Sequence, residues 1–313
     1  MDVAAEIMNS LLPLALLVAL GAGLRRSGFV AEPTRVGLDR LVYWLALPSL
    51  IVAALAPDES GEVVATGAER MMMALMGATL LTAVAAIIVV KLLRRPRSEA
   101  GVFGQAAFRG NLAFVGLPVI SLVTAGDEAV LARAALLFAP VVLLYNIMAV
   151  IGLVAAQHRL DKSLPLKMLK SMATNPLLIA CVLGLVLWYF RLDLPKFLDT
   201  TLSLIGRTAS PLALLSLGGA LVTHPVGRHV GSATAAALLK CAVCPAFAWA
   251  LAWGLDLGSV DRQTVMIFAA CPTAVASYVL ATQLRGDAAL ASAAIVISTL
   301  LSGVSLGVVL AIT

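Results

Sequence analysis

The chain has 313 residues, of which 61% are hydrophobic and 12% charged, and its mean hydropathy is +1.01. This composition excludes a soluble domain and implies a polytopic membrane protein. The formal net charge of +5 does not point to nucleic acid, because the basic residues lie in short connections between apolar stretches, where they set orientation.

Residues 1–9 carry Asp2 and Glu6 and no basic residue. They lack the positive n-region of a cleaved leader, so the first apolar segment is expected to stay as a span. At about 20 apolar residues per helical span, ten stretches qualify. They are 8–24, 37–55, 71–90, 101–122, 129–154, 174–190, 199–222, 230–253, 262–283 and 289–312. The expected fold is all-α with ten transmembrane helices and no sizeable soluble domain.

Alternate connections differ in charge. One set contains Arg25, Arg26, Arg35 and Arg40; Lys91, Arg94, Arg95 and Arg97; Arg159, Lys162, Lys167 and Lys170; Arg228; and Arg285. The other contains Arg70, Arg133, Arg191, Lys196 and Arg262. The richer set is assigned to the cytoplasm, which puts both termini outside. The expected location is a plasma membrane, in a bacterium the inner membrane.

The fourth stretch contains FRGNLAFVGLP at residues 108–118, with an arginine, two glycines, an asparagine and a proline inside one span. Glycine and proline both weaken a helix there, and unwound backbone at membrane depth is tolerated where it lines a cavity or is buried in protein. The ninth stretch contains FAACPTAVAS from Phe268, interrupted at Pro272.

These two breaks belong to a repeat. GDEAVLARAA begins at Gly126 and GDAALASAA at Gly286, and the offset of 160 between them also links Phe108 to Phe268. Pro48 in LALPSLI pairs with Pro211 in TASPLALL. The chain thus reads as one membrane domain of two five-helix halves, 1–157 and 158–313. Five being odd, the halves have inverted topology, with broken helices 4 and 9 crossing at the midplane and aiming half-helix N-termini at a ligand.

Three basic residues lie outside the connections: Arg109, Arg207 and Lys240. No Asp or Glu falls deep in any of the ten stretches, so these cations have no evident partner, which favours an anion as the visiting counter-charge. Arg207 lies near a boundary and can snorkel. Lys240 suits either a ligand or the carbonyls of a broken helix. Arg109 adjoins the break. The candidate substrate-binding residues are therefore Arg109, Gly110, Asn111, Pro118, Asn146, Lys240, Pro272, Thr273 and Ser277, with Gln283 a further lining residue and Gly116, Pro118 and Pro272 as hinges.

All four cysteines lie in apolar stretches, and Cys241-x-x-Cys244 has no second ligand pair. His158, His224 and His229 fall in loops. No metal, cofactor or enzyme active site is expected, since no nucleophile with a base and no paired carboxylates share one depth.

The residues also resemble the auxin efflux carrier family, within the wider superfamily of bile-acid, auxin and arsenite transporters. The resemblance covers nearly the whole chain. It is carried by LVYWLALPSLI, RGNLAFVGLPVI with GDEA, TNPLLIACVLG, and CPTAVASYVLATQLRGDAALASAAIVISTLLS. It implies a scaffold from spans 1, 2, 6 and 7 that forms a homodimer, and a transport subdomain from the rest. It also implies that Asn111 matches the asparagine that binds the substrate carboxylate in the plant exporters, whereas Pro140 stands where those exporters have a glutamine.

The functional expectation is a secondary transporter of small organic anions such as carboxylates, moving them by an elevator-like or rocking cycle, with facilitated efflux as the mode. The alternatives are a sodium-coupled symporter of the bile-acid type and a sensor that keeps the transporter fold.

Overall fold

The computed structural model describes residues 3–56, 67–157, 173–223, 229–284 and 286–313. Among these residues the fold is all-helical, without a strand. The helices are α1 (Val3–Arg26), α2 (Glu32–Leu55), α3 (Ala68–Leu92), α4 (Arg97–Phe108), α5 (Leu112–Val123), α6 (Glu128–Gln157) and α7 (Pro176–Tyr189). There follow α8 (Lys196–Arg207), α9 (Ala209–Thr223), α10 (Val230–Gly254), α11 (Ser259–Ala270), α12 (Ala276–Gln283) and α13 (Ala288–Ile312).

Six segments are long and apolar enough by themselves to cross a membrane: α2, α3, α6, the nearly continuous α8 and α9, α10 and α13. The shorter α5 and α7 are also apolar. The division at 157/158 falls at the edge of residues 158–172, outside the described residues, as do His158 and His224.

Proline shapes three of the helices. Pro48, Pro118 and Pro245 each occupy the second position after a widened, five-residue turn, at Val42–Ala46, Leu112–Gly116 and Leu239–Val243 respectively. Proline has no N–H to donate and its ring collides with the carbonyl four residues back, so an extra residue in the preceding turn relieves both problems without ending the helix. Gly116 and Pro118 therefore mark a widened turn. The chain actually leaves helical conformation earlier, at residues 109–111, where Arg109 is extended (φ −83°, ψ 100°) and Asn111 lies at φ −84°, ψ 65°.

The helices fall into two neighbourhoods. In one, α1 runs along α9, while α2 packs on α7 and α8. At Gly218 a side chain would collide with the Val18 carbonyl, so α1 and α9 meet backbone to backbone. In the other neighbourhood, α3, α4, α6, α10, α11 and α13 pack on one another. The two touch mainly where α2 meets α6 and where α5 meets α9, and a hydrophobic core runs across them from Leu47 and Ile51 to Phe138 and Phe268.

The matching GD sequences play matching structural parts. Asp127 Oδ1 accepts from the Val130 N–H at 3.1 Å before α6, and Asp287 Oδ1 accepts from the Leu290 N–H at 2.9 Å before α13. Each aspartate satisfies a donor that the helix start leaves orphaned.

Candidate functional site

The two breaks meet. Gly110 and Thr273 face one another as an isolated antiparallel bridge. The Asn111 N–H donates to the Pro272 carbonyl at 2.8 Å, and the Ala274 N–H donates to the Arg109 carbonyl at 2.9 Å. Backbone groups that lost their helical partners thus satisfy each other inside the protein, which is the condition for non-helical chain away from water.

Gly116 lets the crossing close. A Cβ there would lie 2.6 Å from the Phe268 ring and 3.1 Å from Cys271 Sγ. Nearby, Thr273 is fully buried, its hydroxyl donating to the Ala106 carbonyl at 2.7 Å and its N–H donating to Ser298 Oγ at 2.9 Å. Gln105, also buried, donates through Nε2 to the Ser277 carbonyl at 3.0 Å, tying α4 to α12.

A cavity of about 550 Å³ opens beside the crossing. Its walls come from α2, the start of α5, α6, Asn175 and Leu177, α9 and residues 274–276. The N-terminal residues of both half-helices border it: Leu112, Ala113 and Phe114 from α5, and Ala276 from α12. First-turn N–H groups have no acceptor within their own helix and carry a partial positive charge, which suits an anion, although in α12 those of Ser277 and Tyr278 already donate to the Ala274 and Val275 carbonyls.

Arg109 and Asn111 line this cavity and are nearly buried, at 8% and 5% exposure. Arg109 Nη2 donates to Asn146 Oδ1 at 2.7 Å, so Asn146 orients the guanidinium. Arg109 Nη1 and Asn111 Nδ2 have no acceptor among the described residues. Leaving a buried donor unpaired costs about 1–3 kcal/mol, and both residues that carry such a donor stand in the cavity wall.

The remaining sequence candidates separate. Gly110 lines the cavity with Arg109, Asn111 and Asn146, whereas Gly116, Pro118, Pro272, Thr273 and Ser277 are buried in the crossing itself and are not part of the wall. Lys240 is fully buried and donates to the Ala269 carbonyl rather than into the cavity. Arg207 is exposed at the end of α8. Gln283 ends α12, with its side chain outside what the structure describes.

A carboxylate does share the cavity wall, although its partners are Arg35 and Ser216 and not Arg109 or Lys240. The helix of the second stretch starts at Glu32, not near residue 37, and it carries Asp39 into the cavity wall. Asp39 Oδ2 accepts from Arg35 Nη1 at 2.7 Å, and Oδ1 accepts from Ser216 Oγ. Arg35 also binds Glu32 at 2.6 Å. The sequence reading puts Arg35 in a connection and Asp39 at the edge of the second stretch, 37–55. The spacing of Arg35, Asp39 and Tyr43, four apart on one helical face, was the available signal. Even so, the wall sets Arg35, Arg40 and Arg109 against Asp39 alone, an excess of positive charge.

His229, before α10, lies between Glu99 and Asp287, with Nδ1 to Glu99 Oε1 at 3.8 Å and Nε2 to Asp287 Oδ2 at 3.3 Å. None of these three lines the cavity.

Comparison with known proteins gives the family. The family model described as membrane transport protein matches residues 6–310. An uncharacterised transporter of Methanocaldococcus jannaschii is 25% identical, over 94% of this chain and 95% of its own length. A Rhizobium meliloti protein provisionally named a malonate transporter is 26% identical, over 95% and 93%. An uncharacterised transporter of Methanothermobacter thermautotrophicus is 28% identical, over 95% of each chain. The family and these relatives are transporters, not enzymes. With several apolar helices and a family match over nearly its whole length, the chain is a multi-pass membrane transporter and belongs to the membrane transport protein family, that of the auxin efflux carriers.

Proposed function

We propose that the protein is a secondary transporter of small organic anions, carboxylates above all, which it holds in the cavity beside the crossing. The observation that carries this reading is the pair of buried donors without an acceptor, Arg109 Nη1 and Asn111 Nδ2, on a wall with excess positive charge. Two half-helix N-termini add their partial charges at the same place. A volume of about 550 Å³ suits a small ligand and leaves room for hydration. Malonate is the first substrate to try, because a relative bears that name.

The cycle is alternating access by a ten-span fold of two inverted five-helix halves. In support stand the offset of 160 between the GD sequences, the equivalent capping by Asp127 and Asp287, and the bridge between the breaks. The two helical neighbourhoods suit a fixed scaffold of α1, α2, α7, α8 and α9, through which two copies pair, and a moving body of the other helices. With the basic connections in the cytoplasm, both termini are outside and the cavity opens inward, since Arg35 and Arg40 stand in its wall. That is the state ready to accept an anion for efflux.

The test is malonate counterflow in proteoliposomes. Exchange is expected in the wild type and strongly reduced in Arg109→Ala and Asn111→Ala. Unchanged exchange in both variants would remove the site from this cavity, and tight malonate binding without any flux would identify a sensor.

A further inference from the structure

The most deeply buried cation among the described residues is not in the cavity. Lys240 is 0% exposed and sits in the widened turn Leu239–Val243 of α10. Its stem passes beneath the crossing, since a Cβ on Gly110 would lie 3.3 Å from Lys240 Cε. Its titratable neighbours are the Tyr145 phenol and the thiols of Cys241, Cys244 and Cys271. Among the described residues no carboxylate pairs with it. A charge at such depth is costly and calls for a specific partner.

That partner is a carbonyl which the break itself exposes. In an unbroken helix the Phe268 carbonyl would accept from the N–H of residue 272, and the Ala269 carbonyl from that of residue 273. Residue 272 is proline and has no N–H. Thr273 has one, but gives it to Ser298 Oγ at 2.9 Å. The C-terminal end of α11 is thereby left with unsatisfied carbonyls and the negative end of its helix dipole, in the interior. Lys240 Nζ donates to Ala269 O and restores the bond that Thr273 withdrew.

We infer that the Lys240 ammonium is the resident counter-cation of the crossing. It takes the place in which carriers with broken helices hold a coupling cation, on unwound carbonyls and half-helix C-terminal ends. Being covalently tethered, it neither leaves with the substrate nor makes room for a dissolved cation of like charge. The crossing is therefore complete in every step of the cycle, and the anion moves without sodium. The consequence for flux rests on the anion-transport reading above; the structural role does not.

The experiment compares wild type with Lys240→Ala, Lys240→Met and Lys240→Arg in sodium chloride and in choline chloride at equal ionic strength. Two quantities are read: the melting temperature of the purified protein, and the initial rate of malonate counterflow. Wild type is expected to give the same melting temperature and the same rate in both salts.

In choline, Lys240→Ala and Lys240→Met should melt lower by several degrees and lose about tenfold or more in rate, because the half-helix end is left uncompensated. Sodium should restore part of both quantities in Lys240→Ala, whose shortened side chain leaves space, through binding to the folded state. It should restore neither in Lys240→Met, whose apolar stem still fills the site. Lys240→Arg should remain nearest to wild type.

Sodium-dependent melting or flux in the wild type would overturn the inference and favour the symporter. So would a Lys240→Met protein with wild-type stability and rate. Should the alanine variant fail to fold, the methionine variant and the wild-type salt comparison still decide. A wild type that moves no malonate would count against the substrate assignment alone, because the melting temperatures still judge Lys240.

Discussion

The N–H of Asn111 donates to the carbonyl of Pro272 at 2.8 Å, so the two breaks, far apart in the chain, are joined through their main chains. That bond uses only the backbone of Asn111; the residue stands in the cavity wall, and its buried Nδ2 has no acceptor among the described residues. Position and recognition are thus carried by different parts of one residue.

This separation makes Asn111→Ala a clean test. The backbone bond survives, so the melting temperature should change little, while a bond to a charged ligand worth about 1.5–3 kcal/mol is lost. Malonate affinity is expected to fall about 10- to 150-fold, measured by ligand-dependent melting. A drop in stability with unchanged affinity would make the residue structural only.

Charge in the cavity wall gives two changes of opposite sign. Arg109→Gln should weaken malonate binding about tenfold or more, by removing the nearest cation from a desolvated wall. Asp39→Asn should strengthen it about two- to tenfold, by removing the carboxylate that holds Arg35 and adding to the positive field. The same direction in both variants, read by titration at fixed ionic strength, would contradict the anion reading.

Gly116 should not tolerate a side chain. A Cβ there meets the Phe268 ring at 2.6 Å, so Gly116→Ala is expected to cost about 1–3 kcal/mol through overpacking. Phe268→Leu should recover part of that loss in the double variant, a coupling that thermal melting of the four proteins would measure.

The paired caps predict similar losses at distant places. Asp127→Ala and Asp287→Ala each remove a helix-capping acceptor and should each destabilise by about 1 kcal/mol. Asp287→Ala should also disturb His229, which stands 3.3 Å from its other oxygen. Neither should change malonate affinity appreciably, since neither residue lines the cavity.

The sequence alone determined the class of this protein and the place of its breaks. Residue type bears on those directly: apolar stretches must be helical in lipid, and Gly110 beside Asn111, like Pro272, weakens a helix where it falls. Arg109, Asn111 and Asn146 were legible as polar groups inside apolar stretches, and the GD repeat was legible as identity at a fixed offset.

Only the tertiary structure decided which side of the crossing each polar residue faces. Thr273 and Lys240 have the same polar-in-apolar signature as Asn111, yet one bonds Ala106 and the other caps Ala269, because the break redirected Thr273's N–H to Ser298. Asp39 falls at the edge of an apolar stretch by sequence, but α2 begins at Glu32 and brings the carboxylate into the cavity wall with Arg35 and Ser216 as its partners. Spacing along one chain fixes a face of one helix; which neighbour that face meets is set by the packing of the others.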